Sequence, residues 1–182
     1  PVAVSRQGAT GLWQFMLGTG KIYGLKNNSL IDERRDPIKS TWAAARYLKD
    51  LYAIYQDWNL VLAAYNCGPG TINKAIRRAG GATDYWTIYN YLPKETRGYV
   101  PAFIAANYIM TYYCEHDICP METQLPSATD TIHIHKDLHL QQVAEVCNLN
   151  IDQLRSLNPQ YKKDIIPGNS ELCVLRLPNN TV

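Results

Sequence analysis

From Asp36 to Tyr113, apolar residues return at three- and four-residue steps, and no alternating apolar and polar run interrupts them. That spacing is the signature of one face of an α-helix, so the first two-thirds of the chain is expected to fold as packed helices. In DERRDPIKSTWAAARYLKDLYAIYQDW, Asp36 is placed to cap a helix with Pro37 in its first turn. Ile38, Trp42, Ala45, Leu48, Tyr52 and Tyr55 form the face expected to meet a core. NLVLAAYN predicts a second, more apolar helix, ended by Gly68-Pro69-Gly70. Thr71 is placed to cap a third, INKAIRRA, which Gly80-Gly81 stops. KETRGYVPAFIAANYIMTYY predicts a long apolar helix with Pro101 near its first turn.

The pattern changes at Cys119. CPMETQLPSATD, residues 119–130, carries two prolines and small polar residues and reads as a linker. In TIHIH, Ile132 and Ile134 share one face and His133 and His135 the other, which predicts a strand. LQQVAEVCNL and IDQLRSLNP predict two short helices, and LCVLRLP a closing strand. The expectation is a mostly α protein: an α-helical domain over residues 1–118, then a small α+β (βααβ) domain over residues 131–178.

Hydrophobic residues make up 46% of the 182 and charged residues 19%, which suits a folded chain. The net charge of +2 gives no bulk electrostatic case for nucleic acid, and none is expected as a partner. Through Glu122 the chain carries 13 Lys and Arg against 10 Asp and Glu, and beyond it 5 against 6. An anionic partner is thus modestly favoured for the first part. No apolar stretch approaches the ~20 residues that span a bilayer. A membrane anchor outside residues 1–182 is left open. The five cysteines contain no CxxC pair, so neither a metal nor a cofactor is expected. Cys114 with Cys119, and Cys147 with Cys173, are near enough in sequence to pair, leaving Cys67 as a buried thiol. Five reduced cysteines is an equal alternative.

Three segments hold residues that helices do not need. SRQGATGLWQFM combines Gly8 and Gly11 with hydrogen-bonding Ser5 and Gln14. AAYNCGPG puts Tyr65 and Asn66 at the end of an apolar helix. LPKETRGYVP puts Glu95 and Arg97 at the mouth of another. Each has a purely structural explanation: turns need glycine, Asn66 can cap, and Glu95 and Arg97 can pair on the surface.

In this order, the three segments resemble the motifs of the lytic transglycosylases, in the goose-type lysozyme superfamily. The first motif is matched at Pro1, Ala3, Ser5, Gly8, Ala9, Gly11, Leu12, Trp13 and Gln14. The second is matched from Ala64 to Gly70 and the third from Leu92 to Pro101. STWAAARYLKDLY and DYWTIYNYLP look like the D-type branch of the membrane-bound murein transglycosylases. The resemblance implies a lysozyme-like helical domain that cuts peptidoglycan glycan strands between N-acetylmuramic acid and N-acetylglucosamine, in the periplasm or at the outer membrane. It also implies one catalytic glutamate, in a Glu-Ser pair upstream of Pro1, so that residues 1–182 alone are expected to be inactive. Ser5, Tyr65 and Glu95 would support the reaction. Gln14, Met16, Thr19, Ala64 and Asn66 would line the glycan cleft, with Leu12, Trp13 and Met16 as an apolar wall. Glu33, beside Arg34 and Arg35 that would hold it ionised, is a poor substitute acid. Loss of the helix bearing the glutamate is expected to expose apolar surface.

The tail is similar to LysM modules, small peptidoglycan-binding domains, over Leu138–Pro159 and Ile165–Pro178. It departs from their pattern where Lys136-Asp137-Leu138-His139 replaces the usual Gly-Asp-Thr-Leu. That departure leaves packing or orientation as an alternative to glycan binding. A muramidase of the same fold and a non-catalytic wall-binding protein are the other readings open.

Overall fold

The computed structural model describes residues 1–121, 125–126 and 128–179. The expected linker therefore falls partly outside the described residues. By packing, the chain forms two compact units: residues 1–44 with 122–182, and residues 45–121. These groupings differ from the expected modules, because residues 26–36 bond to the tail.

The second unit is helical. Helix α2 (Pro37–Tyr55) runs from the first unit into it, and α3 (Trp58–Cys67), α4 (Pro69–Arg78), α5 (Tyr85–Ile88) and α6 (Lys94–Tyr112) follow. Asp57 caps α3 by accepting from the Leu60 amide at 2.7 Å, and Asp84 caps α5 through the Thr87 amide at 2.8 Å. Leu60, Val61, Ala63 and Ala64 of α3 are buried against Leu51, Ile72, Ile88 and Val100. The cap of α4 is Gly68, with Pro69 in the first turn, so Thr71 lies inside the helix instead of capping it.

Two further expectations are corrected. The buried stripe of α2 is Ser40, Ala43, Ala44 and Leu51, with Tyr47, Leu48, Tyr52 and Tyr55 half-buried. Ile38, Trp42 and Ala45 are exposed, because the helix buries the face whose small side chains permit close approach. Pro101 lies in the interior of α6, not its first turn. It has no N–H for the Arg97 carbonyl, and the buried Tyr85 hydroxyl donates to that carbonyl at 3.0 Å.

The first unit holds α1 (Leu17–Ile22), the start of α2, and the tail. In place of the expected βααβ order, the tail runs β1 (Thr129–Ile134), β2 (Asp137–His139), α7 (Leu140–Val146), α8 (Ile151–Leu157), β3 (Ile165–Pro167) and β4 (Cys173–Pro178). Strands β1 and β4 pair antiparallel from Thr129–Pro178 to Ile134–Cys173, and β2 pairs antiparallel with β3. The two inner strands are three residues each, too short to show an alternating pattern. Alternate residues of β4, Cys173, Leu175 and Leu177, face a core with Ile134, Leu140 and Leu154. All five cysteines are unbridged.

Candidate active site

Motif one is a compact turn system in the first unit. Thr10 and Phe15 exchange backbone hydrogen bonds at 3.1 Å each, closing a turn that contains Gly11 at φ +87° and Gln14 at φ +51°. A Cβ on Gly11 would lie 1.9 Å from the Arg34 carbonyl oxygen, so only glycine fits. Ser5 Oγ accepts from the Ala9 amide at 3.0 Å. Gln14 Nε2 donates to the Gly11 carbonyl at 2.7 Å. Phe15 is buried, whereas Leu12 and Met16 are exposed and Thr19 is half-buried in α1. Trp13 Nε1 donates to Thr41 Oγ1 at 2.7 Å. Of the expected wall, Leu12 and Met16 therefore face solvent and Trp13 is tied to α2.

The turn closes around Arg34. Its guanidinium binds the Asp32 carboxylate at 2.9 and 2.8 Å, and its Nη1 donates to the Gly8 and Phe15 carbonyls at 3.0 and 3.1 Å. Burial disfavours ionisation of Asp32, but hydrogen bonds from Arg34 and Asn27 outweigh it and hold the carboxyl below the usual range. Glu33 is not held by its arginine neighbours. Its carboxylate accepts from the Lys26 amide at 2.8 Å and pairs with Lys39.

Motifs two and three meet in the second unit. Thr96 Oγ1 donates to Asn66 Oδ1 at 2.8 Å, joining the end of α3 to the first turn of α6. Tyr65 is half-buried, its ring 5.2 Å from that of Tyr47. Burial, with Tyr99 and Tyr47 nearby, pushes its hydroxyl well above the usual tyrosine range. Tyr55 donates to the Pro69 carbonyl at 3.1 Å, fixing the Gly-Pro-Gly exit, and burial pushes its own pKa up to about 12. Ala64 is wholly buried in the core. Glu95 is exposed in the first turn of α6. Among the described residues no ion pair joins it to Arg97, which lies over the Tyr89 ring instead, 5.8 Å from the centroid.

Two known family models match separate parts of the sequence. Residues 1–88 match the Transglycosylase SLT domain, and residues 128–182 match the LysM-like domain of lytic transglycosylase MltD. The chain carries an SLT domain and an MltD-type LysM-like domain. The SLT match takes in motifs one and two, and motif three lies beyond it. Over 166 residues the chain is 33% identical to membrane-bound lytic murein transglycosylase D of Escherichia coli K12, covering 89% of this chain and 36% of that protein. It is 38% identical over 97 residues to membrane-bound lytic murein transglycosylase F of Maricaulis maris, covering 47% of this chain and 20% of that one. The chain thus spans about a third or less of the length of these relatives.

Two residues that organise these three motifs carry no local signal of that role in the sequence. Thr96 stands inside Glu-Thr-Arg, and its partner Asn66 is 30 positions away, so only the fold pairs them. Arg34 was legible as one of a basic pair in an acidic stretch, but nothing in its spacing pointed to Gly8 or Phe15.

Proposed function

We propose that the protein containing residues 1–182 is a peptidoglycan lytic transglycosylase. It cleaves the β-1,4 bond between N-acetylmuramic acid and N-acetylglucosamine and leaves a 1,6-anhydro-N-acetylmuramic end. The observation that carries this reading is three ordered motifs in a chain with an SLT domain, two of them tied together by the Thr96–Asn66 bond. In the full-length protein the general acid is a glutamate of a Glu-Ser pair preceding Pro1. It protonates the leaving oxygen, the bond to C1 breaks, and the sugar's C6 hydroxyl attacks C1 while returning its proton to the carboxylate. An internal nucleophile replaces water, so positioning supplies much of the rate. No metal or cofactor is needed.

The residues have roles that follow from their surroundings. Thr96 occupies Asn66 Oδ1, which leaves the Asn66 amide hydrogens to donate to the glycan. Tyr65, its pKa raised by burial, stays protonated and can donate to the reacting groups. Ser5, Gln14, Met16 and Thr19 contact the sugar on the donor side, and Ala64, wholly buried, anchors α3 in the core. Glu95 binds or orients substrate and does not replace the acid. The working place is the cell envelope. Among the described residues no helix is long and apolar enough to cross a membrane.

The test is digestion of purified sacculi with residues 1–182 and with a protein extended upstream through Glu-Ser. Anhydro ends from the extended protein alone are expected. Anhydro ends from residues 1–182 would move the acid into this chain, with Glu95 the first residue to replace. Hydrated reducing ends would identify a muramidase.

A further inference from the structure

The geometry points to the LysM-like tail as a positioning element for motif one, acting through its docking on residues 30–36. This rests on the reading of motif one as part of the glycan site. Ile31, only 4% exposed, is a member of the tail's own core. On either side of it the backbones are joined. The Asp32 amide donates to the Gln160 carbonyl at 2.9 Å, and the Lys162 amide to the Leu30 carbonyl at 2.8 Å. Arg176 of β4 places one guanidinium nitrogen 3.0 and 3.2 Å from the two oxygens of buried Asp36. The same carboxylate accepts the Ile38 and Lys39 amides at the start of α2, at 2.9 and 3.0 Å.

The docked segment is continuous with the motif-one turn. Asp32, pinned through its backbone to the tail, fixes the Arg34 guanidinium, and Arg34 holds the Gly8 and Phe15 carbonyls that bound the turn. Buried charge-assisted bonds of this kind are directional and screened little by salt, so they transmit geometry rather than merely adding contact. A tail serving only as a glycan tether would need no such chain. Its first turn is also closed internally: a Cβ on Gly168 would lie 2.4 Å from the Lys136 carbonyl oxygen, and Asp137 accepts the Asn169 amide at 3.0 Å.

The decisive variant is Arg176→Met, with Arg155→Met as a control that breaks the exposed Arg155–Asp164 pair within the tail. Amide hydrogen exchange on residues 1–182 is expected to speed up at least tenfold at Gly11 and Phe15 in Arg176→Met. The tail-core amides of Leu154 and Asn158 should stay within twofold, and Arg155→Met should leave Gly11 and Phe15 unchanged. Unchanged exchange at Gly11 and Phe15 in Arg176→Met would overturn the proposal. If that variant unfolds the whole unit, Arg176→Lys, which keeps the charge but not the reach to both oxygens, is read by the same criteria. In the upstream-extended protein, Arg176→Met should lower kcat on sacculi at least tenfold, with KM within threefold. A rise in KM alone is the mark of a lost tether and would also overturn it. The exchange result needs no activity, so an inactive extended protein would remove the functional reading without deciding this one.

Discussion

Gly11 shows how much of motif one is backbone geometry. Its φ of +87° and the 1.9 Å approach that a Cβ would make to the Arg34 carbonyl exclude a side chain. Gly8 has a similar φ of +84° but open space around it. Gly8→Ala is therefore expected to cost about 1–2 kcal/mol, the penalty of left-handed backbone. Gly11→Ala should cost distinctly more, because the carbonyl must also move. Chemical denaturation of the two variants checks this, and equal losses would refute the packing of the turn on Arg34. The turn's reliance on glycine was legible in the sequence; its reliance on a guanidinium 23 positions beyond Gly11 was not. The Asp32–Arg34 pair adds a pH dependence. Because the folded pKa of Asp32 is depressed, its contribution is fully present above the unfolded value of about 3.9 and is lost as pH falls through the folded value. Asp32→Asn should be less stable than the parent at neutral pH, and the gap should narrow below about pH 4. A gap that does not change with pH would mean that the charge is not what Asp32 contributes.

At the scale of elements, α6 depends on a hydroxyl supplied from α5. The Arg97 carbonyl loses its helical donor to Pro101 and gains the Tyr85 hydroxyl. Tyr85→Phe strands that carbonyl and should cost about 1–3 kcal/mol. In a Pro101→Ala background the helix regains its own donor, so the same substitution should cost measurably less. An equal cost in both backgrounds, measured by thermal melts, would contradict this coupling. Periodicity alone located α2, α3, α4 and α6, but neither the short α5 nor the details of the longer helices. Residues three and four apart define more than one face of α2, and the size of the side chains decided which face was buried. The face through Ala43, Ala44 and Leu51 permits closer packing than the one through Ile38 and Trp42. Pro101 was expected in a first turn because proline needs no partner there. Its place in the interior depends on Tyr85, 16 positions earlier, which no local rule could supply.

For the whole molecule, sequence similarity and packing divide the chain differently. The SLT domain covers residues 1–88 and the LysM-like domain residues 128–182, yet residues 1–44 pack with the tail in one unit. The motifs were legible because they are continuous in sequence, whereas the docking of residues 30–36 rests on Arg176, 140 positions from Asp36, and left no sequence signal. The transglycosylase reading makes one chemical claim that separates it from every hydrolase of similar fold: the sugar's own C6 hydroxyl, not water, closes on C1. Digesting sacculi in water enriched in heavy oxygen with the upstream-extended protein tests that claim directly. The new N-acetylmuramic ends should be lighter by one water than hydrolysed ends and free of the heavy isotope. Ends carrying heavy oxygen at C1 would contradict the account.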